Sequence, residues 1–307
     1  MSLDPSYLKY PNRRPGQDME RHDWRLAKDR PRVDPPGGEH VAAMAVVVCE
    51  HHPIAPKKTP FGHPHGMVTP FPDLRHYTTR DYGNRVGVFR ILKAMREREI
   101  TATFALSADL LDLAPPLVEA ILNDGHEIAA AGLNGDAIHH SGLSEIEERE
   151  RIEAVRERFA DAGLTPTVWL SPARQESFNT PDLLTAAGFN AVLDWETDQV
   201  PVFMRTRNGT LAALPVLNEL DDYKLMVERK QSEDVWTRQL IEAKDYLKSE
   251  HERLGAQVLG FTLTPFVSGQ PFRITALETL LDALADDSQV LWAGASEIAA
   301  AFEALRG

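Results

Sequence analysis

The chain has 307 residues, 43% hydrophobic and 26% charged, with a formal net charge of −13 and one cysteine, Cys49. Its size suits one α/β barrel or two domains of ~150 residues, and its acidity excludes nucleic acid and anionic membrane as expected partners. The lone cysteine excludes an intramolecular disulfide and a multi-cysteine zinc site, and the absence of a signal-like or membrane-spanning run points to a cytoplasmic protein.

Residues 1–40 are rich in Pro, Arg and Asp and cannot build a core. Tyr7, Leu8, Tyr10 and Trp24 are anchors that mark this stretch as an extended arm, leaving 41–307 as a single domain. The apolar run 41–48 reads as a strand buried on both faces, ending in Cys49-Glu50-His51-His52-Pro53. A long irregular loop with His63, His65 and His76 follows, and loops of this length are usually functional or oligomeric. A helix is expected over 81–99, with Val86, Val88, Phe89, Leu92 and Met95 at apolar positions. Strand 101–106 leads to a helix around 116–122 that stops at Asp124-Gly125, and then to strand 126–130.

The dense charges of helix 143–161 read as a solvated outer face. Beyond it come strand 167–170, helix 179–187, strand 191–193, strand 211–214 and helix 233–253. The chain closes with strand 258–263, helix 273–285, strand 290–292 and helix 295–305. Strands alternating with helices predict parallel pairing through right-handed crossovers. No glycine-rich phosphate loop follows the first strand, which argues against a dinucleotide site. The expected fold is a distorted (β/α) barrel of seven or eight parallel strands, with its chemistry where strands end.

The first strand delivers Glu50, and a carboxylate there costs free energy unless it is paired or used. His51 and His52 are adjacent and point to opposite sides, so at most one shares a site with Glu50. The third strand lies in GHEIAAAGLNGD, residues 125–136. Its exit, Ala131-Gly132-Leu133-Asn134, offers no base or strong metal ligand, while Asp136 reads as a turn residue and His139 and His140 lie beyond. The fourth strand delivers Trp169 and then Arg174, whose fork of donors suits a carboxylate or ureide oxygen. The fifth delivers Asp194, Trp195 and Asp198, acids around an aromatic wall. The seventh delivers Thr264 and, further on, Gln270, whose carboxamide suits amide-like groups.

Six pieces in order carry a resemblance: 81–87 (DYGNRVG), 101–104 (TATF), 125–129 (GHEIA) with Gly132, 169–172 (WLSP) followed by 180–184 (TPDLL), Asp194-Trp195 with Asp198, and Pro265 with 269–273 (GQPFR). The series resembles the polysaccharide deacetylase family, and most its allantoinase-like branch. The resemblance implies a distorted (β/α) barrel that hydrolyses non-peptide C–N bonds in N-acetyl sugars, ring amides or ureides. It also implies a metal held by a first-strand aspartate and two histidines four apart after the third strand. A first-strand carboxylate would act as base, and a histidine after the seventh strand as leaving-group acid.

This chain departs from that pattern. The paired acids of the first strand reduce to Glu50, and the two histidines fall on Ala131 and Gly135. The acid falls on Thr264, and the fourth-strand arginine falls near Leu170, with Arg174 as a substitute. No cofactor is therefore expected, unless a divalent metal binds through a rebuilt site drawing on His51, His76, His139 or His140. The catalytic candidates are Glu50 and His51; the substrate-binding candidates are His76, Trp169, Arg174, Asp194, Trp195, Asp198 and Gln270. Two readings follow. One is an atypical, metal-poor hydrolase of a small amide, ureide or amino sugar; the other is an inactive barrel serving as a ligand-binding or regulatory subunit. The arm and the long loop suggest a homo-oligomer.

Overall fold

The structure is a computed structural model and describes residues 20–55, 63 and 72–306, so Tyr7, Leu8, Tyr10 and His65 lie outside the described residues. In chain order the elements are β1 (Val41–Cys49), α1 (Leu74–Tyr82), α2 (Val88–Arg96), β2 (Thr103–Leu106), α3 (Asp109–Leu113), α4 (Pro115–Asn123), β3 (Glu127–Ala130) and α5 (Glu145–Asp161). They continue with β4 (Val168–Trp169), α6 (Thr180–Ala186), β5 (Ala191–Val192), β6 (Val202–Thr206), β7 (Gly209–Ala213), α7 (Glu233–Leu254), β8 (Gln257–Leu263), α8 (Pro265–Ser268), α9 (Ile274–Ala285), β9 (Val290–Trp292) and α10 (Ala295–Ala301). The expected helix over 81–99 is instead α1, a π-turn at Gly83–Gly87, and α2. Among the described residues no helix is long and apolar enough to cross a membrane.

The sheet runs β6-β7-β5-β4-β3-β2-β1-β8, with β9 also on β1. Eight of its strands pair in parallel, which is the expected (β/α) barrel architecture. The pattern differs at β6, which the alternation did not reveal. It pairs antiparallel with β7 across a two-residue turn, Thr206 lying opposite Gly209. The turn residues are Arg207 and Asn208, and Gly209, at φ 129°, opens β7.

Alternation along β1 sorts its side chains into two layers. Val41, Ala45, Val47 and Cys49 face the helices, whereas Ala42, Met44 and Val46 face the barrel interior. The interior is filled by small and branched residues, including Ala105, Ala129, Val168, Ala191 and Leu214. Ile298 of α10 and Phe302 just after it join that interior cluster. Residues at the start of α10 are held by the entry ends of β2 and β3, since Ala295 N donates to Thr103 Oγ1 (2.8 Å) and Ser296 N to Glu127. The bottom of the barrel is thus plugged, and the opposite end, where the strands finish, is left open.

The gap between β8 and the β6–β7 hairpin is bridged by single backbone bonds rather than a ladder: Val258 N to Gln199 O at 2.7 Å and Leu217 N to Gly260 O at 2.8 Å. Gly260 makes this approach sterically feasible, because a Cβ there would stand 2.1 Å from Pro215 O. The described part of the arm packs on its own barrel. Arg205 N donates to Arg21 O (2.7 Å), Arg21 pairs with Asp182 (2.9 Å), and Ala256 N donates to Val33 O (3.0 Å).

Replacing Gly260 with alanine is expected to destabilise the fold by about 1–3 kcal/mol, because the clash is with backbone that cannot rotate away. Urea denaturation checks this as a lowered midpoint at unchanged slope.

Candidate active site

The parity of β1 carries past its end. Val48 packs against the interior cluster, and Glu50, two residues on, projects into the open mouth of the barrel. The backbone at this point is pinned from three sides. Asn84 Nδ2 donates to Glu50 O (2.9 Å), His51 N to Ser107 Oγ (3.3 Å), and Gly135 N to His51 O (2.9 Å). The 81–87 motif thus has a local role, with the π-turn at Gly83–Gly87 presenting Asn84 to the end of β1.

Glu50 is buried between two imidazoles. His63 Nε2 lies 3.0 Å from Oε1, and His52 Nε2 lies 3.6 Å from Oε2. The two rings meet edge to face with centroids 5.0 Å apart. Burial opposes ionisation of Glu50, but the two imidazoles outweigh it and hold the carboxyl well below the ordinary range. His52 is pushed below its ordinary value by burial, against the pull of Glu50. One ligand atom from each of Glu50, His52 and His63 lies within 4.8 Å of the others.

Glu50 separates two cavities. A cleft of about 370 Å³ is lined by Glu50, His63, Arg174, Asp194, Asp221 and Tyr223, among others. A second, of about 430 Å³, has Glu50, His51, His52, Tyr77 and Arg80 among its walls. His51 therefore borders the site from the second cavity, while His52 is the neighbour that meets the carboxylate.

Across the first cleft, Ala173 and Arg174 both adopt left-handed backbone conformations, with φ of 59° and 51°. Two such non-glycine residues in succession cost about 1–2 kcal/mol each. The turn places Arg174 Nη1 on Val216 O at 2.8 Å, while Nη2 is enclosed with no hydrogen-bond partner. Strain spent on aiming a half-satisfied guanidinium is the pattern of a ligand-binding group.

Asp194 Oδ1 accepts from Ser171 N at 2.8 Å, and its Oδ2 is enclosed without a donor. Glu176 supplies that donor when it carries a proton. Burial, followed by the charge of Asp194, raises the Glu176 carboxyl well above its ordinary value. Trp195 Nε1 donates to Glu176 Oε1 at 3.0 Å, which fixes the pair.

The other candidates from the sequence lie elsewhere. Trp169 is fully buried in the helix-side layer, with Nε1 on Ser171 Oγ (2.9 Å). Asp198 pairs with Arg30 of the arm. His76 is held by Asp73 (2.5 Å) in the first turn of α1, and Gln270 Nε2 donates to Phe266 O (3.1 Å). His139 is buried against Glu148 (3.0 Å), a fully buried acid on the inner face of α5 with Ile152, Val155 and Phe159, and His140 Nδ1 accepts from Gly142 N.

At the position of the missing acid, Thr264 is buried with its Oγ1 unpartnered, and its N donates to Asp222 Oδ2 at 2.8 Å. Burial, then the charge of Asp221, pushes Asp222 up to about 7. The Asp221-Asp222 pair after β7 was missed in the sequence, although adjacent acids beyond a strand are themselves a signal. Of the positions where the resemblance puts metal ligands, Ala131 is a buried interior side chain and Gly135 has none. Neither fits a metal, whereas the carboxylate and two imidazoles of Glu50, His52 and His63 do.

The barrel is open at its strand ends, where sites on such folds lie, and carries a carboxylate and imidazoles at that mouth. Residues 70–192 match the family model described as polysaccharide deacetylase. A solved structure of a probable polysaccharide deacetylase from Pseudomonas aeruginosa PAO1 is similar, with 22% identity, a TM-score of 0.77, and 88% of this chain and 93% of that one covered. PuuE allantoinase is also similar, with 22% identity, a TM-score of 0.77, and coverage of 96% and 98%. No curated protein sequence matches the chain. The polysaccharide deacetylase resemblance stands, in sequence over residues 70–192 and in fold over most of the chain, and that fold is shared with an allantoinase.

Asp222 gives the fold a pH dependence of known sign. Its folded value near 7 lies above its ordinary 3.8, so its contribution is fully present below about 4 and is lost as pH rises through 7. Asp222→Asn should therefore gain thermal stability relative to the parent between pH 4 and pH 7, as measured by melting temperature across that range. A constant difference between the two proteins would contradict the assignment.

Proposed function

We propose that the chain is a hydrolase of non-peptide C–N bonds in a small amide, ureide or N-acetyl amino sugar. The observation that carries this reading is Glu50, a buried carboxylate met by His52 and His63 at the mouth of the barrel between two cavities. In the reaction, Glu50 accepts a proton as water adds to the amide carbonyl, and that proton passes to the departing nitrogen as the C–N bond breaks. Arg174 turns its unpartnered Nη2 to an oxygen of the substrate, and the Glu176–Asp194 pair, both raised by burial, holds a proton beside it. If a divalent ion is bound, Glu50, His52 and His63 would hold it, and it would polarise the carbonyl. The compartment proposed is the cytoplasm, in keeping with the one buried cysteine, and the assembly a homo-oligomer.

A panel of ureides, cyclic amides and N-acetyl amino sugars tests this reading. At least one class should be hydrolysed, Glu50→Gln should lower kcat by about 10²–10⁴, and Arg174→Ala should raise KM by roughly 10- to 100-fold. Binding of panel compounds without turnover, seen as a thermal shift, would instead favour the inactive barrel, for which the empty positions at Ala131, Gly135 and Thr264 argue.

A further inference from the structure

We propose that Glu50, His52 and His63 form a divalent-metal site that has moved from the third strand to the first, with Gly135 serving as the room it needs. A Cβ at position 135 would stand 2.6 Å from His52 Cε1 and 2.7 Å from Nδ1. The imidazole of His52 thus fills the volume into which a side chain at 135 would project. Backbone conformation does not require the glycine. Gly132, three residues earlier, has a φ of +62° that favours glycine, whereas Gly135 lies outside that left-handed range. What remains to account for Gly135 is the close contact with His52.

The donor set is suited to a first-row divalent ion: two imidazole nitrogens and a carboxylate. A tetrahedral ion with bonds of about 2.1 Å sets its ligand atoms about 3.4 Å apart. Glu50 already lies 3.0 Å from His63 and 3.6 Å from His52, so the set needs little movement to close on an ion. Glu50 and His63 also line the 370 Å³ cleft, which leaves a side open to water or substrate, as catalytic sites require. His52 is held through its neighbours, since Gly135 N donates to His51 O and Ser107 Oγ receives His51 N.

The test is direct metal binding by the full chain. Protein stripped with a chelator is titrated with zinc chloride, the bound zinc is counted after desalting, and cobalt(II) reports the ligand field by its visible absorption. One ion per chain is expected, with tetrahedral or five-coordinate cobalt bands and a raised melting temperature. His63→Ala and Glu50→Gln should weaken zinc binding roughly 100-fold or more, and Gly135→Ala, which removes no ligand but crowds the His52 ring, by roughly 10-fold. Far-UV circular dichroism of each stripped variant separates lost binding from lost folding, and His63→Ala provides the control because its side chain leaves from the loop rather than the barrel. Substoichiometric zinc in the parent protein, or unchanged affinity in a His52→Ala/His63→Ala double variant, would overturn the proposal. Turnover is not required, so a chain that binds one ion through these residues and hydrolyses nothing supports the site while failing the hydrolase reading.

Discussion

The structure depends on one electrostatic constraint, a carboxylate buried at the end of β1. An uncompensated charge in such a place costs several kcal/mol. Here Glu50 is met by His63 at 3.0 Å and His52 at 3.6 Å, and it stays ionised in spite of its burial. The positions of His52, Gly135 and the loop residue His63 all follow from satisfying that one group.

The barrel is built to present it. Alternation along β1 sends Cys49 into the helix layer, where burial raises its thiol far above the ordinary value, and sends Glu50 to the mouth. Ile298 and Phe302 fill the opposite end, so solvent reaches the interior from the side on which Glu50 lies. The remaining strand ends add a second polar group set across the cleft. Its members are unlike: a strained turn aims Arg174, and Asp194 shares a proton with Glu176. A cleft with a guanidinium and a proton-sharing carboxyl pair facing Glu50 is suited to a polar, compact substrate with both kinds of hydrogen-bonding group.

Much of this was legible in the sequence. The alternation of apolar runs and helical patterns carries the parallel barrel, and the strand-end rule selects Glu50, Arg174 and Asp194, all of which line one cleft. The β6 strand escaped because its apolar stretch is only Val202-Phe203-Met204, bounded by Pro201 and Arg205, with Val202 and Phe203 half-buried. Parity would have turned Trp169 outward, since Val168 and Leu170 face the interior. Other parts rest on contacts between residues distant in sequence. The capture of Asp198 by Arg30 spans 168 positions, and the joining of Glu50 to His63 depends on the path of a loop that no local propensity dictates. The Glu176–Asp194 pair likewise depends on the left-handed turn at Ala173 and Arg174, a conformation that neither residue type favours.

The most direct measurement is an anomalous difference map from crystals grown with zinc, recorded on both sides of the zinc edge. The account predicts one strong peak within bonding distance, about 2.1 Å, of His52, His63 and a Glu50 oxygen. A peak at other side chains, or none at the mouth of a fully ordered barrel, would contradict it.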